Sequence, residues 1–155
     1  MPMKFKKAIE SVPAIAVGFR NGLQALESKD KKHVACDDSF TLTGSVYLDE
    51  LLRDDYPSDS RWDYGIGVGI DAVDDRIVWL EIHPASTANI PEVLKKHAWL
   101  KRWLTDSATA LRKMPAVYVW AASGRVAIAH HAKQVKHLAA RGIVFAGSRY
   151  RIRSE

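Results

Sequence analysis

The strongest constraint on the fold is the stretch of residues 61–83, RWDYGIGVGIDAVDDRIVWLEIH. Two segments in it alternate with a period of two residues, which is the pattern of β-strands with two different faces. In the first segment, apolar side chains from Tyr64 to Ile70 share one face, and three glycines framed by Asp63 and Asp71 form the other. The second segment predicts a strand from Ile77 to His83.

The turn-rich residues 71–75 predict that the two strands form a hairpin. Side chains of directly paired residues share a face of an antiparallel ladder. A register that pairs Gly65 with His83 gathers Asp63, Glu81 and His83 over a floor of glycine. Because glycine weakens a strand, three on one face indicate the close approach of a ligand, a backbone or a large side chain.

The polar side chains on this face have the chemistry of a metal site. Carboxylates on adjacent strands, here Asp63 and Glu81, are the oxygen ligands that Mg²⁺ or Mn²⁺ prefers. His83 is either a further ligand, better suited to Mn²⁺ or Zn²⁺, or a base that orients a water molecule. The alternative interpretation is that Trp79 covers the glycines and that the polar residues line a solvated rim.

The composition is that of an ordinary globular protein, with 47% hydrophobic and 26% charged residues. Residues 1–155 are expected to form a single domain with its own core. One cysteine, Cys36, excludes an internal disulfide and fits a reducing compartment. Because we find no signal-peptide pattern and no apolar run of transmembrane length, we expect a cytoplasmic protein without a membrane partner.

Basic residues outnumber acidic ones, 23 to 18, which gives a net charge of +5. This balance permits a polyanionic partner such as a nucleic acid. The glycine run GIGVG lacks the spacing of the GxxxxGK[ST] and GxGxxG phosphate-binding loops. A nucleotide-binding loop of either kind is therefore not expected.

The rest of the chain predicts an α/β protein, with helices packed on a mixed β-sheet. Asn89 and Glu92 resemble a capping box for a long helix that Pro115 ends, and Ser123-Gly124 resembles a tight turn. The predicted elements are a helix over 13–27, a strand over 40–43, a short helix over 46–56, the opening hairpin, the long helix, a hairpin over 116–129, a helix over 130–141 and a strand over 143–145.

This order of elements, with one strand opening on Asp63 and its neighbour carrying Glu81-Ile82-His83, resembles the core of the PD-(D/E)XK nuclease-like superfamily. The resemblance implies a restriction-endonuclease-like core, Mg²⁺ or Mn²⁺ bound by Asp63 and Glu81, and hydrolysis of phosphodiester bonds in nucleic acid. His83 stands where the family has the lysine that positions the attacking water, and Trp62 stands where it has a proline.

The missing lysine leaves several functions open. Lys95 or Lys96 of the long helix is a candidate to reach the site from another element. Alternatively, cleavage has been lost and a nucleic-acid-binding scaffold remains. A non-catalytic protein-interaction module and a metal hydrolase for a small phosphorylated substrate are the other two interpretations.

Overall fold

The computed structural model describes residues 4–37, 41–69, 75–128 and 133–153. The fold is mixed α/β, with a five-stranded mixed sheet flanked by helices, which confirms the predicted fold class. Its elements are α1 (Phe5–Glu10), α2 (Pro13–Ala16), α3 (Ser28–Lys31), β1 (Val34–Cys36), β2 (Leu42–Tyr47), α4 (Leu48–Leu51), β3 (Tyr64–Val68), β4 (Arg76–Ser86), α5 (Ile90–Ser107), α6 (Thr109–Arg112), β5 (Ala116–Ala127), α7 (Lys133–Ala140), β6 (Ile143–Phe145) and β7 (Tyr150–Ile152).

The strands of the main sheet follow one another in the order β2-β3-β4-β5-β6. Strands β2, β3 and β4 are antiparallel neighbours, whereas β4, β5 and β6 are parallel. Parallel neighbours require crossover connections, and α5 with α6 makes the first crossover and α7 the second. Strands β1 and β7 form a separate parallel pair. Within the described residues, no helix is both long and apolar enough to cross a membrane.

In the β3–β4 hairpin, odd-numbered residues pair with odd-numbered residues, as predicted, but the register differs from the predicted one. Gly65 pairs with Trp79, four residues before His83, and Gly67 pairs with Ile77. The predicted register was wrong because it would set Glu81 opposite Gly67, in the middle of the buried strand β3. A carboxylate at that place would lose its hydration without a partner, whereas the observed register leaves Glu81 beyond the last pair of residues, where the backbone N–H of Asp63 and the side chain of Lys96 contact it. Ile70 and residues 71–74 of the predicted hairpin lie outside the described residues.

The glycine face of β3 is covered by large side chains of the protein at Gly65 and Gly67. A Cβ atom on Gly65 would lie 2.6 Å from Cζ3 of Trp79, and one on Gly67 would lie 2.5 Å from Cγ of Phe5. The floor of glycine beneath the polar residues was therefore a wrong prediction. At Gly65 the alternative interpretation, a covering Trp79, is confirmed, and at Gly67 the covering ring comes from α1.

Helix α1 is held at this face by Asp75, whose carboxylate Oδ2 accepts the backbone N–H of Phe5 at 2.8 Å. Asp75, the last of the turn-rich residues 71–75, is 1% exposed. The carboxylate is buried because it satisfies an amide at the start of the helix, where orphan N–H groups need acceptors.

Other predicted elements are shorter or arranged differently. The helix predicted over 13–27 ends at Ala16, and turns that include Gly22 at φ +50° follow it. Only the four residues of α4 are helical within the predicted 46–56. The predicted strand over 40–43 is β2, which begins at Leu42, and Phe40 lies outside the described residues. Part of the helix predicted from residue 130 is α7, and residues 129–132 lie outside the described part.

The hairpin predicted over 116–129 is one strand, β5. Ser123 pairs with Pro84 and Val126 pairs with Ala85, so that two residues bulge out between them. Gly124, at φ +75°, permits this bulge where a tight turn was predicted. One continuous strand forms because parallel pairing with the long strand β4 buries the apolar residues 119–122 of β5.

Helix α5 begins as predicted near residue 90, but its cap lies one turn earlier. Ser86 and Asn89 form the capping box, with Oγ of Ser86 2.6 Å from Oδ1 of Asn89, and a 3₁₀ turn over Thr87–Asn89 leads into the helix. Helices α1 and α5 cover the face of the sheet that carries Trp79, and β1 with β7 covers the opposite face. The segment of β4 that carries Glu81 and His83 therefore lies between the helical layer and the β1–β7 layer.

Candidate functional site

Asp63 and Glu81 meet at one end of the β3–β4 pair, just beyond the last paired residues. Asp63 precedes β3 directly, and its backbone N–H donates to Oε1 of Glu81 at 3.1 Å. In return, the backbone N–H of Ile82 donates to Oδ2 of Asp63 at 3.0 Å. These reciprocal hydrogen bonds hold both carboxylates at fixed positions beside the ends of the strands.

The third charged group comes from α5. Nζ of Lys96 lies 2.5 Å from Oε2 of Glu81 and 3.9 Å from Oδ1 of Asp63. Lys96 follows Val93 by three residues and precedes Leu100 by four, so it shares the helix face that packs on the sheet. This spacing is the sequence signal that separates Lys96 from its neighbour Lys95.

His83 lies at the edge of the same cluster. Its Nδ1 is 3.6 Å from Oε2 of Glu81, and its side chain is 20% exposed, against 14% for Lys96 and none for Glu81. The structure therefore brings together four of the five predicted site residues, which we call the carboxylate cluster: Asp63, Glu81, His83 and Lys96.

Lys95, the other predicted lysine, lies elsewhere. Its side chain is exposed and borders a small pocket of about 170 Å³ with Ser60, Trp99 and Arg102. Lys95 also has no ion pair with a carboxylate of the described residues. Of the two candidates that the sequence left open, only Lys96 contacts the carboxylates.

Burial changes the protonation of the carboxylates. It raises the pKa of Asp63 to about 6, although the nearby Lys96 opposes this shift. Burial also raises the pKa of Glu81 well above its usual value, and repulsion from Asp63 adds to the effect. Each carboxylate is therefore harder to ionise than a carboxylate in water.

Lys96 and His83 shift in opposite directions. Burial lowers the pKa of Lys96, but the attraction of Glu81 and Asp63 outweighs it and the net pKa is raised. The pKa of His83 is lowered, first by burial and then by the charge of Lys96. Near pH 7 the cluster consequently contains a protonated lysine beside a neutral imidazole.

The charge of the cluster fits a divalent cation. Two carboxyl groups and one ammonium group lie together in a mostly buried place, where burial raises the pKa of both carboxyl groups and repulsion from Asp63 adds to the effect at Glu81. A divalent cation bound beside them would favour their ionised forms. Two carboxylates with water are a donor set that Mg²⁺ accepts. No group of three or more His, Cys, Asp or Glu side chains in the described part of the chain is arranged to hold a metal ion. Asp63, Glu81 and His83 are therefore not arranged as a three-ligand metal site, and a cation bound here would have only Asp63 and Glu81 with water as ligands.

A cleft of about 380 Å³ opens beside Asp63. It is bordered by α3 with the residues that follow it, and by the carboxyl-terminal halves of β4 and β5. We call it the Asp63 cleft, after the member of the carboxylate cluster in its wall; it is lined by Lys29, Asp30, Lys32, His33, Tyr47, Asp63, Ile82, Pro84, Ser123 and Gly124. Sequence analysis missed this cleft because the run of residues 28–32 has only the pattern of a helix-breaking polar segment.

Comparison of the chain with protein-family models, with curated proteins and with solved structures finds no match. The function is therefore inferred from the geometry and the charges of the carboxylate cluster and the Asp63 cleft.

Proposed function

We propose that this protein is a metal-dependent phosphodiesterase that acts on nucleic acid. The observation that carries the proposal is the convergence of Asp63, Glu81 and Lys96, from three different segments, on one place at the end of the hairpin. Two carboxylates and an ammonium group are the groups that phosphodiester hydrolysis needs for a cation and for developing negative charge.

Asp63 and Glu81 would hold Mg²⁺ or Mn²⁺ in this mechanism. Such a cation, when bound, lowers the pKa of water and stabilises negative charge on a phosphoryl oxygen. The hydrogen bonds from the backbone N–H groups of Asp63 and Ile82 fix one oxygen of each carboxylate. The second oxygen of each carboxylate is the one nearer to Lys96.

Lys96 and His83 divide the remaining roles by their protonation states. Lys96 stays protonated, so it donates hydrogen bonds and stabilises negative charge but does not accept a proton. His83 is neutral near pH 7, so its imidazole is able to accept a proton from an attacking water molecule. The PD-(D/E)XK superfamily, which the chain resembles, has a lysine at the position of His83. In this protein Lys96 of α5 would supply that ammonium group instead.

Two further observations support this function. The net charge of +5 suits a polyanionic substrate. The hairpin, the crossover helix α5 and strand β5 also follow one another in the order that the superfamily resemblance implies. With a single cysteine in the chain, we place this activity in the cytoplasm.

The test is incubation of the protein with single-stranded and double-stranded DNA and RNA, with Mg²⁺ or Mn²⁺ and with EDTA. We expect metal-dependent cleavage that falls at least about 100-fold in Asp63→Asn, Glu81→Gln and Lys96→Met. Lys95→Met is the matched control, because it removes the adjacent charge outside the cluster, and it should cleave normally. No cleavage of any substrate, or cleavage unchanged in Asp63→Asn and Glu81→Gln, would contradict the proposal.

A second candidate function is a non-catalytic interaction module, and two observations favour it. Trp79 covers Gly65, and Lys96 already forms an ion pair with Glu81. This function predicts that the cluster is a structural ion pair without affinity for metal. Calorimetric titration with Mn²⁺ separates the two functions, because heat of binding that disappears in Asp63→Asn excludes the purely structural role.

A further inference from the structure

The Asp63 cleft lies beside the carboxyl-terminal halves of two parallel strands. Ile82 and Pro84 of β4 and Ser123 and Gly124 of β5 line one side of it. These residues stand at the carboxyl-terminal half of each strand, and β4 and β5 run parallel. In α/β sheets the carboxyl ends of parallel strands are where ligands bind. The space beside Gly124, in the bulge of β5, is open, since a Cβ atom there would meet nothing within 4 Å.

The opposite wall of the cleft is basic. Lys29 and Lys32 both line it and are exposed. Neither lysine has a carboxylate within ion-pair distance among the residues that the structure describes. Two unpaired ammonium groups at the mouth of one cleft attract an anionic ligand.

The acidic residues of the cleft are already engaged. Oδ2 of Asp30 accepts the hydroxyl hydrogen bond of Tyr64 at 2.6 Å, and Asp30 is 8% exposed. Oδ2 of Asp63 accepts the backbone N–H of Ile82. One oxygen of each carboxylate is therefore held by a donor inside the protein, whereas the two lysines are exposed, so a ligand entering from solvent meets positive charge first.

His33 lies in the wall of the same cleft with its ring fixed in place. Its Nδ1 lies 2.7 Å from the backbone oxygen of Ser148, and the residue is 7% exposed. Because a carbonyl oxygen only accepts, Nδ1 carries the hydrogen in this contact. The ring is therefore held in one orientation at the wall of the cleft.

We propose that the Asp63 cleft binds the sugar-phosphate backbone of a single-stranded nucleic acid, with Lys29 and Lys32 contacting phosphates beside the carboxylate cluster. This inference rests on the proposed function for the identity of the anion. A cleft of about 380 Å³ has the size of a site for one small molecule, so it takes one nucleotide of a strand and not the width of a duplex. Phosphate contacts of this kind supply affinity that depends on salt and not on sequence.

Binding is measured by fluorescence anisotropy of a labelled 12-nucleotide single strand in EDTA, so that no cleavage is needed. We expect Lys29→Ala/Lys32→Ala to weaken binding about 10-fold or more at low salt. The slope of log affinity against log salt should fall in magnitude by about 1.4, since each phosphate contact on a single strand contributes about 0.7. The matched control, Lys7→Ala/Lys113→Ala, removes the same charge from exposed lysines of α1 and of the turn after α6. It should weaken binding far less.

Several outcomes would overturn the inference. The first is that the unaltered protein does not bind the strand, and the second is that the two double variants weaken binding equally. The third is that a duplex or a mononucleotide competes with the labelled strand as effectively as the unlabelled strand does. Hydrolysis of bis(p-nitrophenyl) phosphate with Mn²⁺ is measured in parallel in the unaltered protein and in the control variant Lys7→Ala/Lys113→Ala, in which it should be unchanged. If that hydrolysis is absent in the unaltered protein but the strand binds through the two lysines, the proposed catalysis fails and the binding site stands.

Discussion

Nζ of Lys96 lies 2.5 Å from Oε2 of Glu81, a carboxylate whose side chain has no exposed surface. The two residues come from a helix and a strand, and their ion pair joins α5 to the middle of β4, where the pairing of β4 with β3 ends. Removing one partner of a buried ion pair strongly destabilises the folded protein, because the remaining charge is left buried without compensation. The stability of the protein and the chemistry of the carboxylate cluster therefore depend on the same contact.

The first prediction concerns this ion pair. Lys96→Met should lower the free energy of unfolding by about 3 kcal/mol at pH 8, where Glu81 would stay buried with less compensation. The loss should be smaller at pH 5, because the pKa of Glu81 is raised and protonation removes the buried charge. Urea unfolding at the two pH values measures both effects.

Two variants control this experiment. Lys95→Met should change stability by no more than about 0.5 kcal/mol, since its side chain is exposed. Lys96→Met/Glu81→Gln should recover part of the stability, because neither charge remains. An equal loss in Lys95→Met, or no recovery in the double variant, would show that the ion pair is not the cause.

The second prediction is a pH dependence of metal binding. Burial raises the pKa of Asp63 to about 6, and protons compete with a cation for the carboxylate. Binding should therefore strengthen as the pH rises through 6, and Mn²⁺ should raise the melting temperature at pH 7.5 more than at pH 5. Differential scanning fluorimetry measures the shift. Asp106→Asn, an exposed carboxylate of α5, should keep the shift, and Asp63→Asn should lose it. A shift that is the same at both pH values would count against this site.

The third prediction separates a packing role of the glycine face from a ligand-binding role. A Cβ atom on Gly67 would lie 2.5 Å from both Cγ of Phe5 and Oγ1 of Thr43. Gly67→Ala should therefore lower the free energy of unfolding by about 1–3 kcal/mol, as overpacking does. Gly69→Ala, whose Cβ would have its closest contact at 3.1 Å, should cost less. Chemical denaturation gives both values, and the metal-induced shift should be unaffected. Normal stability with lost metal binding in Gly67→Ala would restore the ligand-binding interpretation.

The fourth prediction concerns His97 of α5, which is 5% exposed. Its Nε2 has no hydrogen-bond partner in the described part of the protein. Burial, with the charges of Lys101 and Arg141, lowers its pKa from 6.5 to about 4. Between these pH values the unfolded chain binds a proton that the folded protein does not. Stability should therefore fall as the pH falls from about 6.5 to about 4, by on the order of 2 kcal/mol.

His97→Leu should remove this part of the pH dependence, which thermal unfolding at pH 4 to 7 measures. Asp63 acts in the opposite direction, because its raised pKa favours the folded state as the pH falls below about 6. The comparison is therefore between His97→Leu and the unaltered protein at each pH. Parallel stability curves for the two proteins would contradict the prediction.

The correct predictions came from features that are local in the chain. The periodicity of apolar residues predicted β3, β4 and α5. Asp63, Glu81 and His83 were predicted on one side of the hairpin because side chains alternate in direction along a strand, whatever strand it pairs with. The wrong register and the wrong hairpin over 116–129 have one cause. Strand pairing depends on which apolar surfaces the rest of the fold covers, and neither α1 over Gly67 nor β4 beside β5 is visible in the local pattern.

The sequence by itself determined the α/β class and the residue types of the carboxylate cluster. It also determined that Lys96 shares a helix face with Val93 and Leu100, since the helical period follows from the backbone alone. Only the tertiary structure decided that this face meets β4 at Glu81, that Lys95 points elsewhere, and that α3 with the residues after it lines the Asp63 cleft. The physical reason is that contacts between elements depend on the burial of whole faces, and the energy of that burial is shared among residues far apart in the chain.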